Sequence, residues 1–132
     1  VGLVLVEVKN LAVKDIFTVR KDRTVASIKS LMAYFNLDAL IVTDEDEPVG
    51  IVTLGDIQRR VLDQKLDPHI ISVGDIKSEP LIWTRYDTTL TEVAEIMEEN
   101  QIKRLPIFGN LSNGPILLGV YVYQPEESFI DN

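Results

Sequence analysis

The chain repeats itself. Displaced by 65 residues, "RKDRTVASIKSLMAYFNLDAL" falls on "RYDTTLTEVAEIMEENQIKRL", with identities at Arg20/Arg85, Asp22/Asp87, Thr24/Thr89, Met32/Met97 and Leu40/Leu105. Apolar positions coincide as well, at Val25/Leu90, Ile28/Val93, Leu31/Ile96, Leu37/Ile102 and Val42/Ile107. A repeat of this kind restricts the fold more tightly than composition does, because the structure adopted by one copy must serve the other. One unit of roughly 60 residues has only a small core, so the two are expected to pack together.

Inside each copy the apolar residues recur at helical spacing, as Val25, Ile28, Leu31, Met32 and Phe35, and again as Leu90, Val93, Ile96 and Met97. Thr24 and Thr89 stand where an N-cap belongs, and Thr89 with Glu92 has the spacing of a capping box. After each helix comes a short apolar run ("ALIVTD", "LPIF"), a loop of turn formers ("EDEPVG", "GNLSNG") and a second run ("GIVTL", "ILLGVYVY"). The first copy adds a closing helix, "DIQRRVLDQKL". The expectation is an α+β protein of two quasi-twofold related strand-helix-strand-strand-helix units packed through their sheets. Residues 1–66 form the first unit with an N-terminal strand, and 67–132 form a linker from Asp67-Pro68 and the second unit. Such packing puts corresponding strand ends and helix starts across a shared cleft.

Composition removes several functions. With 21 acidic against 13 basic residues the net charge is −8, which repels phosphate backbones and argues against general nucleic-acid binding. There is no cysteine and a single histidine, so thiolate metal sites, disulfides and a cysteine nucleophile are excluded, in keeping with a cytoplasmic location. The apolar start "VGLVLVEV" is far shorter than the ~20 residues that span a bilayer. The chain opens on Val1 instead of Met, so it has either lost its initiator or been cut from something longer, and a fragment of a larger protein is the expectation.

The stretches "VGDIKSEPLIWTRYDTTLTEVAEIMEENQIKRLPIF" and "GIVTLGDI" resemble the tandem cystathionine-β-synthase (CBS) domain pair, or Bateman module, over about residues 11 to 125. The second stretch fits that family's Gly-x-x-(Ser/Thr)-x-x-Asp ending. The resemblance implies a regulatory, non-catalytic module that binds an adenosine-containing ligand, AMP, ADP, ATP or S-adenosylmethionine, and signals to a partner or attached domain, commonly as a homodimer. It further implies that Asp56 meets the ribose hydroxyls, Thr53 the ribose or phosphate region beside Ile51, Leu81 and Ile82 the base, and Lys103 and Arg104 the phosphates. These assignments suit the chemistry. A carboxylate accepts from adjacent hydroxyls, and Lys and Arg supply positive charge that an acidic chain otherwise lacks.

The second copy departs from the pattern. With Gly119 set on Gly50, Val122 stands where Thr53 does and Pro125 where Asp56 does, while Asp38 and Ala39 replace Lys103 and Arg104 in the first copy. The first copy also reads as shorter at its beginning, with 7 positions from Asp15 to Asp22 against 12 from Asp75 to Asp87. One competent site and one altered site are expected.

Blander readings stand beside these. Asp56 alone, after a strand, is a helix cap; Thr53 alone is a strand residue; Lys103 and Arg104 alone are solvated charges near a helix end. Trp83 belongs to a core or an interface, His69 to a loop without metal, and the "DEDE" run at 44–47 to a hairpin turn. No nucleophile–base set and no G-x-x-x-x-G-K-[ST] loop occurs, so the chain is not expected to be an enzyme. The rival to a ligand sensor is a ligand-free dimerisation or scaffold module, and either is compatible with the regulatory fragment of a larger enzyme or transporter.

Overall fold

A computed structural model describes residues 6–8, 15–111 and 114–123. They fall into two compact units, one of Ile16–Leu81 and one that joins the chain before Ile16 to everything from Ile82 onward.

The first unit runs β1 (Phe17–Arg20), α1 (Val25–Phe35), β2 (Ala39–Asp44), β3 (Glu47–Thr53) and α2 (Leu54–Ile57), the last continuing as a π-helical turn over Gln58–Leu62. Thr24 is extended and its hydroxyl accepts from Ser27 N–H, which starts α1, and Asn36 in the left-handed region ends it. The buried face of α1, Val25, Ile28 and Met32, packs with Leu40, Val42, Val52 and Val61. β2 pairs parallel with β1 and antiparallel with β3. The β2–β3 turn is made by Glu45 and Asp46, both at positive φ (50° and 68°), as a two-residue hairpin requires. The expected turn in "DEDE" is therefore present, and Asp44 before it meets Lys21 at 3.0 Å.

The second unit repeats the order with β4 (Thr84–Arg85), α3 (Leu90–Asn100), β5 (Arg104–Leu111) and β6 (Gly114–Val122). Thr89 and Glu92 form the expected capping box, and Gln101 takes the left-handed position that Asn36 takes in α1. The protein is thus α+β, with two three-stranded sheets, β1-β2-β3 and β4-β5-β6. Val93, Met97, Leu105, Ile107 and Tyr121 build the second core.

The compact units do not follow the sequence division at 66/67. The segment that precedes the second copy is built onto the first: Val25 N–H donates to Ile71 O (2.9 Å), Val73 N–H to Arg23 O (2.8 Å), and Thr24 bridges Ser72. The segment that precedes the first copy is built onto the second: Leu90 N–H donates to Val6 O (2.6 Å), Val8 N–H to Thr88 O (2.8 Å), and Glu7 bridges Thr89. Every one of these pairs is related by the same 65-residue displacement, and Val8 and Val73 are both fully buried.

This register corrects the expectation of an abbreviated first copy. Val8 is the equivalent of Val73, and both stand 14 positions before the shared aspartates Asp22 and Asp87, so neither copy is shorter at its beginning. Comparing Asp15 with Asp75 set the two flanks out of step. Of the expected N-terminal strand, residues 1–5 lie outside the described residues, and Glu7 makes a single bridge.

Candidate functional site

Thr53 is the last residue of β3 and the N-cap of α2, extended at φ −120° and ψ 167°. Its hydroxyl accepts from Asp56 N–H at 3.1 Å and donates to Asp56 Oδ2 at 3.1 Å, while its own N–H donates to the same oxygen at 2.9 Å. The pair is a closed capping box in which each residue satisfies the other's backbone donor. Asp56 is 3% exposed. A buried carboxylate needs partners for its charge as well as its lone pairs, and the remaining oxygen, Oδ1, meets Arg59 Nη2 at 3.0 Å. Thr53 is therefore the cap of α2, not Asp56 as the sequence suggested, and Asp56 is its capping-box partner with both carboxylate oxygens engaged.

Two glycines shape this corner. A Cβ at Gly55 would lie 2.7 Å from Arg59 Nη1, so the bare backbone lets the guanidinium rest over the first turn of α2. A Cβ at Gly50 would lie 2.6 Å from Ser78 O, and its absence admits the connector against β3, where Ile51 exchanges two backbone hydrogen bonds with Ser78 (3.1 and 2.8 Å). Arg60, next to Arg59 in sequence, donates to the connector carbonyls of Ile76 (2.8 Å) and Lys77 (3.3 Å). The two arginines thus bind opposite neighbours.

The structure brings Thr53 and Asp56 together, with Ile51 half-buried two residues earlier on β3. Leu81, half-buried, closes the same unit. Ile82, Lys103 and Arg104 belong to the other unit. Ile82 packs against its core, Lys103 is exposed, and Arg104 is half-buried at the first position of β5. Trp83 is 49% exposed and meets Phe108 edge-on at 5.3 Å.

Strand register places Val122 where Thr53 stands: Thr53 pairs with Ala39 and Val122 with Arg104, the residue 65 positions on from Ala39. The following N–H groups match as well, Leu54 donating to Asp38 O (3.1 Å) and Tyr123 to Lys103 O (2.8 Å). Pro125, set against Asp56 in the sequence comparison, lies outside the described residues.

Arg59 was not foreseen. Its signal is the Asp-x-x-Arg spacing, which puts cation and carboxylate on one face of a helix. His69 lies in an exposed turn with its N–H on Asp67 Oδ1 at 2.9 Å, and that hydrogen bond, more than the imidazole beside it, lowers the Asp67 carboxyl from its ordinary value. No cluster of three metal-binding side chains occurs among the described residues, and no helix among them is long and apolar enough to cross a membrane.

The repeat, the twin sheets and the cap geometry define a tandem module of two similar α+β domains. The family model for the CBS domain matches residues 8–63 and 73–121, and the chain belongs to that family. The two matches begin at the residues that the flank hydrogen bonds make equivalent. An uncharacterized protein of Methanopyrus kandleri is 31% identical over 120 residues, covering 90% of this chain and 60% of that protein. Inosine-5'-monophosphate dehydrogenase of Methanocaldococcus jannaschii is 31% identical over 98 residues, 74% of this chain and 18% of the enzyme. The chain thus spans less than two thirds of either relative's length. A CBS domain protein of Pyrobaculum aerophilum, solved in complex with AMP, shares the fold with a TM-score of 0.74 at 22% identity, covering 89% of this chain and 87% of that one.

Proposed function

We propose that this CBS pair is a regulatory sensor that binds an adenine nucleotide of the AMP, ADP or ATP type at the Thr53–Asp56 corner and passes its occupancy to a partner or attached domain. The observation that carries the reading is the buried Asp56 carboxylate, held by three hydrogen bonds at a strand end that the second copy leaves apolar with Val122. In the proposed complex Asp56 receives a ribose hydroxyl and Ile51, Leu81 and Ile82 border the base. Lys103 and Arg104 are the cations assigned to the phosphates. S-adenosylmethionine is the variant ligand to be compared. The AMP held by the Pyrobaculum protein supports the fold's fitness for such a molecule. Association as a homodimer and a cytoplasmic setting complete the reading. The module does not act as a catalyst in it.

A ligand can signal only by binding two arrangements of the protein unequally. The contact in reach is Arg60, which ties the helix after Asp56 to the connector at Ile76 and Lys77.

The second reading is a ligand-free scaffold, and the closed capping box favours it, since Asp56 is already satisfied as the partner of Thr53. Thermal unfolding of the parent chain and of Asp56→Ala with AMP, ADP, ATP, S-adenosylmethionine and NAD separates the two. A ligand at 100 times its Kd adds about 2.7 kcal/mol, a shift of several degrees. A shift in the parent that the variant lacks supports the sensor. No shift in either at millimolar ligand leaves the scaffold.

A further inference from the structure

The donors at the Thr53–Asp56 corner can be counted. A hydroxyl has one proton to give, and that of Thr53 goes to Asp56 Oδ2 while its oxygen accepts from Asp56 N–H. An anionic group arriving here finds no donor on the Thr53 side chain, and it approaches a carboxylate of its own charge sign. Arg59 changes both conditions. Its Nη2 holds Asp56 Oδ1 at 3.0 Å and so offsets the carboxylate charge. Its guanidinium lies against Gly55, where a Cβ would come within 2.7 Å of Nη1, and its side chain is 64% exposed. A guanidinium offers five N–H donors in a planar fork, and the bond to Asp56 takes one of them. Arg60, the neighbouring cation, is turned to the carbonyls of Ile76 and Lys77 instead.

We infer that Arg59 is the residue that sets ligand class at this corner, making it select a phosphorylated nucleoside over the nucleoside itself. The inference rests on the nucleotide reading above. Asp56 Oδ1, which accepts one hydrogen bond from Arg59, keeps a lone pair for a ribose hydroxyl, and the outward edge of the guanidinium donates to the phosphate. The role expected of Thr53 at the phosphate passes to Arg59, and Thr53 orients Asp56.

The test is titration calorimetry of the full chain with AMP and with adenosine, on the parent and on Arg59→Ala, Arg59→Gln and Arg59→Lys, each first checked for cooperative melting. Arg59→Gln keeps a polar side chain of similar reach should Arg59→Ala fold poorly. In the parent AMP binds more tightly than adenosine and weakens as salt rises. Arg59→Ala and Arg59→Gln lower AMP affinity about tenfold or more, the loss typical of a charge-assisted contact, and leave adenosine nearly unchanged. Arg59→Lys restores part of the preference through charge alone. AMP and adenosine falling together would show that Arg59 merely holds Asp56 and would overturn the inference, as would an AMP affinity unmoved by all three changes. A parent chain that binds AMP and adenosine equally well overturns the inference alone. One that binds neither, nor any other adenine nucleotide, removes the nucleotide reading with it.

Discussion

The two copies keep the same core and differ at one strand end. Thr24 and Thr89 cap matching helices, Asn36 and Gln101 end them in the left-handed region, and Leu40 and Leu105 are both fully buried in the second strand of their sheets. At the end of the third strand the likeness stops, with Thr53 followed by a buried aspartate in one copy and Val122 in the other. What folds the unit is thus duplicated, while among the described residues the Thr–Asp capping box at the end of a third strand occurs in the first copy alone. The comparison separates residues that both copies need for the fold from those that one copy can do without, and it does so without appeal to any relative.

The likeness of the cores can be broken first where the expected effect is largest. Leu40→Ala and Leu105→Ala each remove a buried leucine, and each should cost about 2–5 kcal/mol in urea unfolding; the comparison predicts similar losses. Gly50→Ala is next. Its new methyl meets Ser78 O, a backbone atom that cannot swing aside, and the expected loss is about 1–3 kcal/mol, read as a lower urea midpoint. The caps sharpen the comparison further. Thr89→Ala and Thr24→Ala should each cost about 1 kcal/mol, the former more, because the Thr89 hydroxyl both accepts from Glu92 N–H and donates to Glu92 Oε1, whereas that of Thr24 accepts from Ser27 N–H.

The smallest effect is at Asp67. Its carboxyl is lowered in the folded chain, first by the His69 backbone N–H and then by the His69 side chain. A depressed folded value contributes stability at pH above the unfolded value of about 4, and that contribution is lost as pH falls through the folded one. Asp67→Asn should therefore lower the melting temperature slightly at neutral pH and converge with the parent in acid, which flattens the decline on acidification.

Much of the fold could be read from the residues because periodicity and caps report local structure. The apolar spacing marked α1 and α3, the Thr caps marked their starts, and the acidic turn between β2 and β3 followed from the breaks around it. The flanks could not be read this way. Val6–Val8 and Ile71–Val73 make only a few backbone hydrogen bonds each, with partners far along the chain, and no local pattern announces such pairing. Reading them by their aspartates gave a false difference in length, where the buried valines carry the true register. At the site, Thr53 and Asp56 stood out by spacing, but the one guanidinium that engages Asp56 belonged to a run read only as a closing helix. A side-chain direction around that helix decides between Arg59 and Arg60, and the sequence does not print it.

The exchange of flanks has a consequence for any attempt to shorten this molecule. Removing residues 6–8 takes Val8 out of the core beside Leu105 and strips two backbone partners from the start of α3, in the copy that lies farther along the sequence. Cutting after Leu66 likewise deprives the first copy of Val73 and of the strand partner for Ile51. Neither half of the polypeptide carries its own finished domain, so damage at one terminus is registered first at the far end of the sequence.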